Sequence, residues 1–129
     1  MAGDIRLLYL TKDFLKAEFR CRCKRKDCDA AAMDPAFMRR LQAVRDEWGR
    51  PLVPTSGARC VWHNEKVGGA TGSQHVLGRA ADFSFRSHSE VAAFVSLAEK
   101  HGFGGIGTGI RLVHIDDGPP GRRWTYTNK

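Results

Sequence analysis

Apolar residues recur at two different periods along this chain, and each change of period marks an element. Between Asp34 and Gly49, Phe37, Leu41, Val44 and Trp48 fall three or four positions apart, the spacing of one face of an α-helix. Asp34 can accept from the first free amides, and Pro35 occupies the first helical position, where its missing donor costs nothing. The spacing predicts a helix from Pro35 to about Trp48, stopped at Gly49. A second helix is predicted over about Ser89 to His101. There Ser87-x-x-Glu90 forms a capping box ahead of Val91, Phe94, Val95, Leu97 and Ala98, and Gly102 ends the run. His88 and His101 then stand at helix ends, as caps or solvent-facing residues.

Elsewhere the period falls to two. In Ala81-Asp82-Phe83-Ser84-Phe85 and in Leu112-Val113-His114-Ile115-Asp116, polar and apolar residues alternate as on a strand with one buried face. Leu52-Val53-Pro54-Thr55-Ser56 reads as a further short strand, placed at an edge by Pro54. Thr11 to Phe19 reads as a short turn or helix, with Phe14, Leu15 and Phe19 closing over the core. Residues 60 to 74, rich in glycine and small polar residues, read as a long loop in which Asn64 and Gly68-Gly69 brace turns. Helices packed beside a small antiparallel sheet make an α+β fold. At 129 residues there is room for one domain, 1–129, with a modest core.

The alternation also sorts the polar residues. Asp82 shares a face with Ser84, and His114 shares one with Asp116, so neighbouring strands would bring Asp82 and His114 together. His75 lies seven residues before Asp82, across a turn containing Gly78. Two histidines and one carboxylate are the donors of a catalytic zinc site with one open position. Each residue also has an ordinary reading: a lone histidine is commonly a surface or hydrogen-bonded residue, and an aspartate at a strand start is commonly a turn residue. Asp116, one alternation beyond His114, is the expected general base for the attacking water. Arg59 by itself reads as a surface charge, and nothing in the spacing ties His63 to a metal.

Charge and cysteines change the picture less. The net charge of +7 favours acidic partners, and wall polymers bearing carboxylates and phosphates suit it as well as nucleic acid does. No nucleic-acid-binding motif is present. The opening Met1–Leu10 has only a short apolar patch beside Asp4 and Arg6, so neither an export signal nor a membrane span is expected, and synthesis is expected to be cytoplasmic. Cys21, Cys23, Cys28 and Cys60 could form disulfides, hold a second, structural zinc, or remain reduced thiols. The Cys-x-Cys start is looser than the usual Cys-x-x-Cys pairs, which weighs against the structural metal. The glycines from Gly102 to Gly109 precede a strand and lack the Gly-Lys-Ser/Thr ending of a phosphate loop. Arg122-Arg123-Trp124-x-Tyr126 offers aromatics that could wall a cleft or complete the core.

The motif Ser73-x-His75-x-x-Gly78-x-Ala80-x-Asp82 is preceded by Ser56-Gly57-Ala58-Arg59 and Asn64-x-x-Val67-Gly68-Gly69 and followed by Val113-His114-Ile115-Asp116. Together they resemble the M15 family of zinc D-Ala-D-Ala carboxypeptidases and peptidoglycan endopeptidases, from about Phe19 to Trp124. The resemblance implies one catalytic zinc on His75, Asp82 and His114, with Arg59 holding substrate and polarising the scissile carbonyl. Gln74 would join Arg59 as a donor to the developing oxyanion, and Ser73 and Trp124 would line the substrate site. Many members place an acid three residues before the last ligand histidine, where this chain has Arg111, and the His-x-Asp arrangement of His114 and Asp116 resembles a subgroup of the family. The expected partner is bacterial peptidoglycan, with no nucleic acid, no stable membrane insertion and a monomeric chain. The expected setting is a phage endolysin that reaches the wall once the membrane is breached. Two other readings stay open: a catalytically inactive zinc-binding wall-recognition domain, as in the related hedgehog signalling domain, and a basic nucleic-acid-binding module. Intact Asp116 and Arg59 count against the first.

Overall fold

A five-stranded sheet with an apolar and a polar face divides this molecule. The structure, a computed structural model, describes residues 4–28 and 32–129. In chain order, a 3-10 turn over Ile5–Leu8 leads into a small antiparallel hairpin, β1 (Tyr9–Thr11) and β2 (Phe14–Leu15), and a second 3-10 turn spans Lys16–Phe19. After these come α1 (Pro35–Trp48), β3 (Pro54–Ser56), α2 (Val61–Lys66), β4 (Ala80–Ser84), α3 (His88–Lys100), β5 (Gly105–Thr108), β6 (Leu112–Asp116) and β7 (Arg122–Thr125). The larger sheet runs in the order β3-β4-β6-β5-β7. No described helix is long and apolar enough to cross a membrane.

The two predicted helices form where their caps place them. Asp34 Oδ2 accepts from the Phe37 amide at 3.0 Å, and Gly49 ends α1 in the left-handed region at φ 70°. At α3, Ser87 Oγ accepts from the Glu90 amide, while the Glu90 carboxylate accepts from Arg86 N rather than from Ser87 N. Phe37, Met38, Leu41 and Val44 of α1 and Val91, Phe94 and Ala98 of α3 are buried in one core with Ala81, Phe83, Ile106, Val113 and Ile115 of the sheet. Trp48, partly buried, closes one side of this core edge-on to Phe85 and Phe94.

Four local expectations are corrected. Thr11 to Phe19 forms a hairpin arm and a 3-10 turn; Phe14 and Phe19 are buried, but Leu15, alternating with Phe14 on β2, faces solvent. The strand predicted from Leu52 pairs only over Pro54–Ser56, at the sheet edge that Pro54 implied. The expected loop of residues 60 to 74 contains α2, which is too short for a helical period to register in its sequence. Finally, the sheet is not wholly antiparallel: β7 runs parallel to β5, because the 117–121 connection carries the chain to the far side of β5, where Arg122 N donates to Gly104 O.

Leu41 is fully buried at the centre of the α1 stripe. Leu41→Ala is expected to lower the unfolding free energy by about 2–5 kcal/mol in urea denaturation. A loss below about 1 kcal/mol would show that α1 does not pack as described.

Candidate metal centre and cleft

β4 and β6 pair with Ala80 opposite Asp116, Asp82 opposite His114 and Ser84 opposite Leu112. Directly opposed residues share a face, so Asp82 and His114 meet as the alternation requires. His75 comes from the turn before β4. Within that turn Gly78 adopts φ 72°, and its backbone packs so close to Ala32 that a Cβ would overlap the Ala32 carbonyl. Asp34 N donates to Gly78 O at 2.8 Å, so the start of α1 fixes the loop that carries His75.

The three side chains converge. His75 Nε2 lies 3.4 Å from Asp82 Oδ2, and His114 Nδ1 lies 2.8 Å from Asp82 Oδ1. One donor atom from each residue falls within 4.8 Å of the others. The second nitrogen of each ring is held from behind. His75 Nδ1 donates to the Gly57 carbonyl at 2.8 Å, and His114 Nε2 donates to Asp116 Oδ2 at 2.7 Å. A carbonyl and a carboxylate only accept, so the proton belongs on those two nitrogens. The nitrogens turned towards Asp82 are thereby the ones offered to a metal ion. This donor set fits zinc: two neutral imidazoles and a carboxylate, each imidazole backed by an acceptor.

Electrostatics follow the same contacts. Burial pushes the Asp82 carboxyl up, but hydrogen bonds and charge from His114 and His75 outweigh it and hold the group well below the usual carboxylate range. Burial pushes His114 down, yet Asp116 and Asp82 together raise it.

Asp116, the expected base, lines the cleft and is held by its neighbours. It is 2% exposed, and both of its oxygens are engaged. Oδ2 accepts from His114, while Oδ1 accepts from Gly118 N at 2.8 Å and from the Arg122 guanidinium. Burial raises its carboxyl, and His114, Gly118 and Arg122 lower it by more.

Arg122 was not singled out from the sequence. Arg122 and Trp124 alternate along β7 and Tyr126 follows just beyond its end, so the period-two argument used for His114 could have placed Arg122 and Trp124 on one face. Two glycines let them reach the site. Gly105 lies between Asp116 and Arg122, and Gly107 lies between His114 and Trp124. A Cβ on Gly105 would meet Asp116 and Arg122, and one on Gly107 would overlap the Trp124 indole. With no side chains at positions 105 and 107 of β5, Arg122 reaches across to Asp116, and the Trp124 ring comes to 5.2 Å from that of His114.

These residues floor a cleft of about 660 Å³. Arg59, Ser73, Gln74, Trp124 and Tyr126 line it, so the structure brings every residue predicted for the site to one place. Arg59 is braced by Asn64 Oδ1 at 3.0 Å and Ser56 Oγ at 3.2 Å, with its Nε buried and unpartnered among the described residues. Gln74 Oε1 is likewise buried without a partner. Ser73 Oγ accepts from His75 N and so braces the turn. Tyr126, its phenol pushed up by burial, keeps its proton at neutral pH. Glu65 and His63 are not among the cleft-lining residues.

Comparison with known proteins gives this arrangement its family. A profile described as Peptidase M15 matches residues 12–116, and the chain belongs to that family. Among curated proteins, the zinc D-Ala-D-Ala carboxypeptidase of Streptomyces albus G is 40% identical over 67 residues. That stretch is 51% of this chain and 26% of the relative, so the likeness spans about a quarter of the relative's length.

The glycine floor yields a direct test. Gly107→Ala is expected to displace the Trp124 indole, seen as a changed aromatic band in near-ultraviolet circular dichroism with the far-ultraviolet spectrum unaltered. An unchanged aromatic band would contradict the packing of Trp124 across β5.

Proposed function

We propose that the chain is a zinc-dependent peptidase that hydrolyses an amide bond in the peptide stems or cross-links of bacterial peptidoglycan. The observation that carries this reading is the convergence of His75 Nε2, Asp82 and His114 Nδ1 at the floor of a cleft, each imidazole turned by an acceptor behind it. Family membership and the zinc carboxypeptidase relative support it. When bound, zinc supplies a Lewis acid that polarises the scissile carbonyl and acidifies water.

The rest is the work of the chain's own residues. His75, Asp82 and His114 hold the ion. Asp116 keeps the proton on His114 Nε2 and fixes the ring, with Arg122 and Gly118 fixing Asp116 in turn. In this reading Asp116 is a positioning residue that acts through His114, in place of the base expected from the sequence. Arg59, braced by Asn64 and Ser56, presents its guanidinium at the cleft to a substrate oxygen. Its fixed position adds a preorganised charge where negative charge develops. The Trp124 indole walls the cleft beside His114 and offers an apolar surface to the stem peptide. The +7 charge suits an anionic wall, and we read the setting as lytic, of the phage endolysin type.

Purified peptidoglycan digested with the zinc-loaded protein should release peptide fragments of new mass, and chelation should stop the release. Intact wall after prolonged digestion with the loaded protein would contradict the activity. Loss of turbidity in permeabilised bacteria tests the lytic setting separately, and stable turbidity with active wall cleavage would contradict that setting alone.

Two substitutions separate the roles of the aspartates. Asp82→Ala should lose the metal, as should His114→Ala. Asp116→Asn should weaken zinc by ~10- to 100-fold, the usual effect of removing a carboxylate behind a ligand histidine, with turnover recovering in excess zinc. Turnover still depressed by ~100-fold or more at saturating zinc, with loss of the acidic limb of the pH–rate profile, would return Asp116 to the role of base.

A further inference from the structure

The fold gathers Cys21, Cys23, Cys28 and Cys60 into a cluster separate from the cleft histidines, and the geometry points to a second metal site there: a structural zinc held by four thiolates. The four sulfurs lie within 4.8 Å of one another. A tetrahedral zinc with Zn–S bonds of about 2.3 Å needs sulfur separations of about 3.8 Å. Side-chain rotations that draw the sulfurs together by about 1 Å or less would therefore close the site. The sequence spacing weighed against this metal because the Cys-x-Cys start is loose. What spacing could not show is that Cys60 completes the set from the other side.

Several independent features agree. No disulfide is formed, although the sulfurs are close. Three of them accept backbone amides: Cys21 Sγ from Cys60 N at 3.3 Å, Cys23 Sγ from Arg25 N at 3.4 Å and Cys60 Sγ from His63 N at 3.3 Å. Amide-to-sulfur bonds of this kind offset the charge of metal-bound thiolates and orient them. The Arg25 bond depends on Lys24, which takes φ 62°, the only left-handed residue other than glycine among those described. That conformation folds the backbone after Cys23 back onto its own sulfur.

Charge is also complementary. Zinc with four thiolates carries a net charge of about −2, and Arg22, Lys24, Arg25 and Lys26 crowd the same turn. Arg25 lies 4.6 Å from the Trp62 ring on α2, joining the turn to the helix that follows Cys60. Residues 20–28 contain no helix or strand, so a metal would supply the order that regular hydrogen bonding does not. A small fold commonly gains stability in this way.

The clamp would reach the cleft through the backbone. Cys60 follows the segment in which Gly57 O holds His75 Nδ1, Ala58 N donates to Phe19 O at 2.9 Å, and Arg59 N donates to His75 O at 3.0 Å. Phe19 lies two residues before Cys21. A metal tying Cys21 to Cys60 therefore pins both ends of the segment that aims Arg59 and His75.

The test uses cobalt in place of zinc, because only sulfur ligands give intense sulfur-to-cobalt charge-transfer absorption, and the His75–Asp82–His114 site contains no sulfur. The full chain, purified with reductant and reloaded with cobalt, should show that absorption. Cys28→Ser should diminish it, and the His75→Ala/His114→Ala variant should keep it in full. Zinc content should be two ions per chain in the unaltered protein and one in the double histidine variant. Absence of thiolate absorption in the unaltered, folded chain would overturn the proposal. So would two disulfides, seen as a mass four hydrogens lower under reducing purification. Neither readout requires the variants to fold, and neither depends on peptidase activity.

Discussion

An imidazole has two nitrogens, and an acceptor that holds the proton on one leaves the other to bind a metal. The site depends on that constraint being met twice, by Gly57 O behind His75 and by Asp116 behind His114. Without either acceptor the ring could turn or change tautomer, and the two bare nitrogens would no longer face Asp82 together. The two acceptors are of different kinds. The Gly57 carbonyl is placed by the strap between β3 and α2, whereas Asp116 is placed by β6 and held by Arg122 from β7. Three separate parts of the fold thus converge on the orientation of two rings.

The sheet makes this convergence possible by being bare where it must be. Side chains on β5 at positions 105 and 107 would stand between β6 and β7 on the polar face. Glycine at both positions lets Arg122 and Trp124 cross β5 and touch residues of β6. The opposite face of the same strands has the opposite character. There Ile106, Val113 and Ile115 pack with α1 and α3 in a continuous apolar core, so the floor of the cleft is held flat by the packing beneath it.

Much of this was legible in the sequence because it rests on local periods. The α1 stripe, both helix caps and the alternation in β4 and β6 are short-range patterns, and they were enough to put Asp82 and His114 on one polar face once the two strands are neighbours. What stayed hidden depends on contacts between distant segments or on backbone atoms. Gly57 acts through its carbonyl, which every residue possesses. Gly105 and Gly107 read as punctuation, because their use lies in what crosses over them. The parallel pairing of β7 follows from the path of the 117–121 connection rather than from any residue in the strand. Asp116 shares a face with His114, as expected, but alternation cannot say that Arg122 and Gly118 occupy its other oxygen. The closeness of the four cysteines stayed hidden for the same reason, since Cys60 lies 39 positions from Cys21.

The central claim is that each histidine presents one particular nitrogen to the metal. A long-range proton–nitrogen correlation spectrum of the zinc-loaded protein, with its histidines labelled, reads this directly. The structure predicts metal on Nε2 of His75 with a proton on its Nδ1, and metal on Nδ1 of His114 with a proton on its Nε2. Metal on Nε2 of His114, or a ring proton missing from either nitrogen that faces Gly57 or Asp116, would contradict it.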